Sequence, residues 1–384
     1  MGKAVIVSAV RTAVGKHAGQ WTNVPSENLG AAVIKEAVAR AKVDPAEIED
    51  VQFGNIYGPN GNHARICALM AGLPVEVAAT TIDRQCGSGT QAIVNAVLNI
   101  EAGYGDVFVA GGVEHMTTTP YQMEKTPAYS WIPPKFIASR LSTDEIGNPP
   151  MAKTADMLGE QKGITREECD EWALISQQRA GKAMETGVFK EQIVPIPVKT
   201  KAGMVDVDTD ETPRPQTTLE GLAKLRPLFE GGMTTAGNAC PRSDGAAALV
   251  IMSEERAKAL GLTPMAHVRS FAVAGLDPNI MGYGPVPATQ KVLKRAGIGV
   301  SDLDVVEMNE AFAAQFIPCM KELKLNPEKT NPNGGAIALG HPLGGTGALL
   351  TTKLVYEMMA KDYNLGLVTM CIGGGQGMAV VFER

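Results

Sequence analysis

The sequence predicts a layered α/β fold, on three observations. Short apolar runs of β character alternate with longer stretches of helical period. The 384 residues include 42 glycines and only 5% aromatics, a composition suited to a globular α/β protein rich in tight turns. Between about Thr117 and Gly245 the alternation gives way to Pro-rich and polar stretches, so the outer thirds read as regular and the middle third as a large insertion. A chain of this length exceeds one simple core and implies two or three domains or sub-domains.

The elements follow in order. Val5-Ile6-Val7 begins directly as a strand, without the longer apolar region and cleavage site of a signal peptide. An apolar run ends at Ile82, and a helical pattern follows with Ile93, Val97 and Ile100 on one face. Val107-Phe108-Val109 is the next strand; Asp156 to Gly163 and Glu167 to Glu185 read as helices inside the irregular third. Ala248-Leu249-Val250-Ile251 and Val305-Val306 resume the strands. Val113-Glu114-His115-Met116 and Val306-Glu307-Met308-Asn309 each follow a strand, a faint repeat that hints at duplication.

Composition excludes several functions. Net charge is −6 and no stretch is strongly basic, so there is no electrostatic footprint for nucleic acid or an anionic membrane, and an anionic ligand needs local cations. No run of about 18 apolar residues appears; a cytoplasmic location is the expectation. The six cysteines contain no C-x-x-C pair, which argues against a metal site, and free thiols are expected.

Four segments carry chemistry. In Ile82-Asp83-Arg84-Gln85-Cys86-Gly87-Ser88-Gly89-Thr90 a strand ends and a helix begins, placing Cys86 where backbone N–H groups and the helix dipole favour a thiolate. The plain alternative is a buried cysteine acting as a small apolar residue; the glycine setting favours the nucleophile. Gly87-Ser88-Gly89-Thr90-Gln91-Ala92 also fits the G-x-G-x-x-A dinucleotide fingerprint, but loosely, because the suitably spaced Asp106 precedes the next strand instead of ending it. His341 lies in Gly340-His341-Pro342-Leu343-Gly344-Gly345, framed by glycines before another helical pattern; it suits a general base or a donor to a thioester oxygen, against a turn histidine bonded to backbone. Cys371 opens the turn Cys371-Ile372-Gly373-Gly374-Gly375 between two apolar strands, where converging N–H groups can build an oxyanion hole, against a merely structural turn. Asn309, at a strand-to-helix junction, can hold a water or an oxygen, or act as an N-cap. Two glycine-flanked thiols and one glycine-flanked histidine point to acyl transfer through a thioester.

Taken together, these segments resemble the thiolase family, and the similarity runs from Arg11-Thr12 to the terminal Cys-x-Gly-Gly-Gly-Gln-Gly turn. The resemblance implies an α/β fold of two duplicated layered halves, each with a five-stranded mixed sheet and helices, plus an inserted loop domain. It implies bounds of 1–117 for the first half, completed by 245–268, then 118–244 for the loop domain and 269–384 for the second half. It assigns Cys86 the acyl group, His341 its activation and a share of the thioester oxygen, and Cys371 the second proton transfer. Asn309 would position an oxyanion-hole water, and the N–H groups of Cys86 and Gly373 a second hole. Gly111-Gly112-Val113-Glu114-His115-Met116, Met281-Gly282-Tyr283-Gly284-Pro285-Val286-Pro287-Ala288 and Gly340-His341-Pro342-Leu343-Gly344 look more like degradative 3-ketoacyl-CoA thiolases than biosynthetic acetoacetyl-CoA enzymes. Cys240 stands where many members have serine near the coenzyme, and Ala152, next to Met151, where glycine is usual.

By the same resemblance, Arg214 meets the nucleotide end of coenzyme A, and Cys240, Met151 and Met281 fall among the substrate or coenzyme contacts. The implied co-substrate is coenzyme A with no tightly bound cofactor and no metal. The implied assembly is a homodimer or tetramer, with a hydratase/dehydrogenase subunit of β-oxidation as a further partner. Rival readings are an acetyl-CoA acetyltransferase with the same residues, a non-catalytic acyl-CoA-binding scaffold, and a decarboxylating ketosynthase, which would carry a histidine where Cys371 sits.

Overall fold

The computed structural model describes residues 3–58, 61–129, 131–137, 139–201 and 203–384; Met1 and Gly2, at the head of the N-terminal run, lie outside the described residues. The chain begins with β1 (Ala4–Arg11), the short β2 (Gly15–Lys16), α1 (Ser26–Ala41), β3 (Asp50–Gly54) and α2 (His63–Met70). It continues through β4 (Ala78–Ile82), α3 (Ser88–Glu101) and β5 (Val107–His115). After β5 it leaves the sheet for α4 (Met151–Gln161), α5 (Arg166–Glu185), the hairpin β6 (Ile196–Thr200) and β7 (Gly203–Val207), and α6 (Leu219–Ala223). It returns as β8 (Ser243–Ser253), followed by α7 (Glu254–Ala259) and β9 (Ala266–Gly275). The remainder is α8 (Pro285–Ala296), β10 (Val305–Met308), α9 (Ala313–Leu323), α10 (Ala336–Leu339), α11 (Leu343–Lys361), β11 (Leu365–Ile372) and β12 (Gln376–Glu383).

Among the described residues one mixed sheet runs β10-β11-β12-β9-β1-β8-β5-β3-β4, with β2 beside β8. It contains the same pattern twice. In the first half β4, β3 and β5 are parallel, while β8 and β1 add on antiparallel. In the second, β10 and β11 are parallel, and β12 and β9 add on antiparallel. The position that matches β4 is a single parallel bridge from Thr330 to Val306. The two patterns join through only two residue pairs, Val5 with His267 and Ile6 with Ala266.

The apolar alternation explains the layers. In β5, Val107 and Val109 point into a core shared with α1 and α2, whereas Phe108 and Ala110 point into a second core with α3 and α11. That second core also takes Val368, Met370 and Val380 from β11 and β12, so α3 and α11 lie between the halves. A third core packs Leu367 and Val381 against Val292 of α8 and Phe316 of α9. Strands covered on both faces are apolar over most of their length, and β5, β8 and β11 are buried end to end, including the polar residues near their ends such as Glu114 and Asp244. The helix expected from Glu167 starts at Arg166, where Thr165 and Glu168 form a reciprocal cap.

The duplication does not follow the Val-Glu repeat. Glu114 is in β5, flanked by β3 and β8, whereas Glu307 is in β10, the counterpart of β3. The positions that correspond are Asp50-Val51-Gln52-Phe53-Gly54-Asn55 and Asp304-Val305-Val306-Glu307-Met308-Asn309, each a strand closed by an asparagine.

Candidate active site

The two central helices bring the principal groups together. Cys86 and His341 both stand two residues before a helix start, ahead of Ser88 in α3 and Leu343 in α11. The turn before α3 is sharp: Gln85 has φ +46°, in the left-handed region that few side chains adopt. Strain of this kind persists where surrounding contacts fix it.

The thiol does not behave as its helix-start position suggests. Cys86 is half-buried as a residue, but protein atoms crowd its sulfur, and burial pushes the thiol up to about 11. The N–H groups of Gly373 and of Cys86 itself pull in the other direction, and the carboxylates of Glu114 and Asp83 add to the rise. The expectation of a resting thiolate is therefore corrected: desolvation outweighs the helix terminus, and Cys86 rests as a thiol. It needs a base.

His341 has the properties of one. It is 3% exposed, and burial pushes its imidazole down to about 4, so it is neutral at physiological pH. Its Nδ1 lies 2.6 Å from Thr346 Oγ1. The Thr346 hydroxyl donates its one proton to the Pro342 carbonyl at 2.9 Å, so towards the ring it accepts. Nδ1 thus carries the hydrogen and Nε2 keeps its lone pair. The backbone N–H of His341 donates to Ser243 Oγ at 3.1 Å, which fixes the loop from β8. Thr346 and Ser243 escaped the sequence reading, although Thr346 lies within the glycine-rich segment that singled out His341.

Asn309 is fully buried, with Nδ2 3.4 Å from His341 Nε2 and an Oδ1 that has no partner among the described residues. The N-cap alternative fails, because the cap of α9 is Phe312. The neighbouring Glu310 accepts from Trp172, Ser176, Asn331 and the Ile337 N–H, which ties the Asn309 junction to α5.

Cys371 is 1% exposed in β11. Burial pushes its thiol well above the ordinary range, and charge on Cys86 or Cys240 would push it further. The turn that follows has φ +85° at Gly374 and +80° at Gly375, a path open to glycine at little cost; it delivers the Gly373 N–H to the Cys86 sulfur. Met281 and Met151 pack against Cys371 with Ala311 and Phe312.

Arg214 lies apart from the thiols. Its N–H donates to Gln177 at 2.6 Å, and it lines a cavity of about 400 Å³ with Lys16, Gln177, Ala239 and Pro241. Those last two flank Cys240, whose thiol burial pushes up to about 12, with a Cys86 charge as the next contribution. The cavity thus runs from Arg214 and the Lys16–Glu211 ion pair, closed at 3.2 Å, to the two neighbours of a residue electrostatically coupled to the nucleophile. The dinucleotide reading has no support here: a Cβ on Gly89 would meet Ala348 N at 2.9 Å and Gly344 O at 3.0 Å, so this glycine serves the packing of α3 on α11.

Fold and chemistry converge on one class, the acyltransferases that carry an acyl group on a cysteine. The thiolase N-terminal domain model matches residues 4–255 and the thiolase C-terminal domain model residues 262–384. The chain belongs to the thiolase family. It is 47% identical to a 3-ketoacyl-CoA thiolase of Aeromonas salmonicida (strain A449) and 44% identical to an acetyl-CoA acetyltransferase of Escherichia coli (strain K12), each match covering 100% of both chains. The crystal structure of human mitochondrial 3-ketoacyl-CoA thiolase superimposes with a TM-score of 0.95 at 40% identity, covering 100% of this chain and 99% of that one.

Proposed function

We propose that this protein is a 3-ketoacyl-CoA thiolase of β-oxidation, cleaving 3-ketoacyl-CoA with coenzyme A to acetyl-CoA and a shortened acyl-CoA. One observation carries the reading: at the entrances of the packed helices α3 and α11 stand a protonated thiol whose sulfur receives the Gly373 N–H and a neutral imidazole whose Nε2 is left as an acceptor facing Asn309. His341 Nε2 takes the proton of Cys86, and the sulfur attacks the ketone carbon at C3. The C2–C3 bond breaks, and the departing acetyl-CoA carbanion takes its proton from Cys371. The Cys371 thiolate then takes the proton of the incoming coenzyme A thiol. That sulfur attacks the acyl-Cys86 carbonyl, and His341 returns its proton to Cys86. The N–H groups of Cys86 and Gly373 face one developing oxyanion; His341 and a water held by Asn309 face the other.

Arg214 supplies the local cation that a phosphorylated co-substrate needs on an acidic chain, beside a Lys16 that is already paired with Glu211. Coenzyme A acts as co-substrate, and no other cofactor enters. The division into 1–117 with 245–268, 118–244 and 269–384 belongs to the same reading, as do a cytoplasmic location and a homo-oligomer, with a hydratase/dehydrogenase subunit as a further partner. β4, outermost in the sheet, leaves one edge open among the described residues, which supports pairing with a second copy. No helix among the described residues is long and apolar enough to cross a membrane.

The relative named acetyl-CoA acetyltransferase favours a second reading in which the same residues join two acetyl units. Thiolysis rates over 3-ketoacyl-CoA substrates of rising chain length separate the two: activity confined to acetoacetyl-CoA overturns the first. In an acid quench after labelled acyl-CoA, Cys86→Ala is expected to retain no covalent label, and label at the wild-type level would remove Cys86 from the mechanism.

A further inference from the structure

Glu114 is wholly buried near the end of β5. Its carboxylate accepts hydrogen bonds from Asn55 Nδ2 at 3.3 Å, Ile56 N–H at 3.1 Å, Tyr57 N–H at 3.0 Å and Gly344 N–H at 3.0 Å. The first three belong to the turn after β3, which in the duplicated architecture is the counterpart of the Asn309 junction. The fourth belongs to the first turn of α11. That helix has Pro342 at its N-cap and no capping side chain of its own, so one of its orphan N–H groups is left to an outside acceptor. Glu114 supplies that acceptor from the other half of the molecule, with a negative charge where a helix N-terminus favours one. Gly344 is three residues from His341, so its placement sets where the imidazole stands relative to Cys86. A buried carboxylate is costly unless hydrogen-bonded; four donors offset part of the cost here, burial still pushing the group up to about 7, and three of them brace the carboxylate from its own half.

We propose that Glu114 is a positioning residue for the base: its carboxylate, held by the turn after β3, caps α11 and thereby fixes His341 opposite Cys86. This rests on the proposed function only in taking His341 as the base. Glu114 touches neither thiol nor imidazole; its charge acts on the Cys86 thiol directly, but Glu114→Asp keeps that charge, so the effect this variant reads passes through His341.

The test is a double-mutant cycle on the full chain. Glu114→Asp keeps the charge but is one methylene short of Gly344. The rate of iodoacetamide alkylation at Cys86 near neutral pH, located by peptide mass, is measured for Glu114→Asp, His341→Asn and the pair. Each single variant is expected to alkylate more slowly than wild type, and the pair no more slowly than His341→Asn alone. In turnover, Glu114→Asp is expected to lower kcat on the order of tenfold or more with KM for coenzyme A unchanged, the mark of a misplaced reacting group. A folded Glu114→Asp with wild-type alkylation and kcat overturns the proposal, and so does additive slowing in the pair. Should Glu114→Asp not fold, Glu114→Gln takes its place in the cycle, where slowing is expected even though loss of the charge alone would speed alkylation, and failure of both to fold assigns Glu114 to folding and overturns it. The alkylation cycle needs no substrate. A cycle that behaves as expected in a protein without thiolysis therefore defeats the proposed function and leaves this one standing.

Discussion

At the scale of single residues the site pairs two neutral groups. Burial raises the Cys86 thiol to about 11 and lowers the His341 imidazole to about 4, so neither is charged at neutral pH. Each shift has its own consequence for stability. Between about 4 and its ordinary 6.5, His341 is neutral in the folded chain and protonated in the unfolded one, so across that window its contribution to stability rises with pH. Glu114 and Glu307, both pushed up to about 7, act the other way: between 4.5 and 7 the folded chain holds the extra protons, and their contribution falls as pH rises. We expect long-range ¹H–¹⁵N spectra of His341, assigned against His341→Asn, to show a neutral ring protonated at Nδ1 down to about pH 5.5, as burial dictates. A titration centred near 6.5, or a hydrogen on Nε2, would show that the Thr346 contact is misread. His341→Asn should also slow Cys86 alkylation. Because His341 is hydrogen-bonded to Thr346, the same variant loses about 1 kcal/mol of stability, so melting temperature alone does not separate a catalytic from a structural histidine. The alkylation rate does. Cys371→Ser is expected to lower turnover more than acyl-enzyme formation, since a hydroxyl is a poorer proton carrier near neutral pH; wild-type turnover would remove Cys371.

At the scale of elements, local chemistry was legible and pairing was not. Cys86, His341, Cys371 and Asn309 stand out because glycine frames and strand-to-helix junctions are contiguous in sequence. The Thr346 and Glu114 contacts are of another kind, since a hydroxyl or carboxylate gives no sign of which distant N–H it will meet. The same limit misaligned the repeat. Val-Glu recurs in β5 and β10 because both strands are buried, yet strand pairing sets their positions, and it matches β10 with β3. The thiolate expectation failed for a similar reason: the helix start is local and visible, whereas the burial of Cys86 is set by tertiary packing. One long-range contact joins β10 to α11 directly. Lys353 Nζ donates to Glu307 Oε2 and to the Gly334 carbonyl, both at 2.7 Å, with the pair almost fully buried. Lys353→Met leaves Glu307 to be buried as the protonated acid with its hydrogen-bond partner gone and is expected to cost about 1–3 kcal/mol, whereas Glu307→Leu with Lys353→Met recovers most of it. Urea unfolding of the three variants checks this, and a double variant no more stable than Lys353→Met would show that the pair contributes more than its desolvation costs.

At the scale of the whole molecule the halves meet through the two residue pairs between β1 and β9 and the crossing of α3 on α11, and the second contact governs both structure and chemistry. Cys86 and His341 stand at the entrances of those helices, so their separation depends on how closely the helices approach. The approach is set by missing side chains. A Cβ on Gly347 of α11 would lie 2.1 Å from Thr90 Oγ1 and 2.3 Å from Thr90 N, and the second of these is backbone that cannot turn aside. Gly159 of α4 is a control, because its Cβ would meet the Met233 thioether, at 2.6 Å from the sulfur, and that flexible side chain can move. Helix propensity alone favours alanine over glycine by about 1 kcal/mol at either position. We therefore expect opposite outcomes from one substitution: Gly159→Ala neutral or slightly stabilising with wild-type kcat, and Gly347→Ala destabilised by about 1–3 kcal/mol through overpacking. In Gly347→Ala the separated helix entrances also widen the distance between imidazole and thiol, so kcat and the Cys86 alkylation rate should fall together, while KM for coenzyme A, which we propose binds at the Arg214 cavity, stays near wild type. Denaturant unfolding and steady-state thiolysis on both variants decide it. A Gly347→Ala protein that gains stability would mean that the helices are free to part, and the two halves would then owe their alignment to the two residue pairs between β1 and β9 alone.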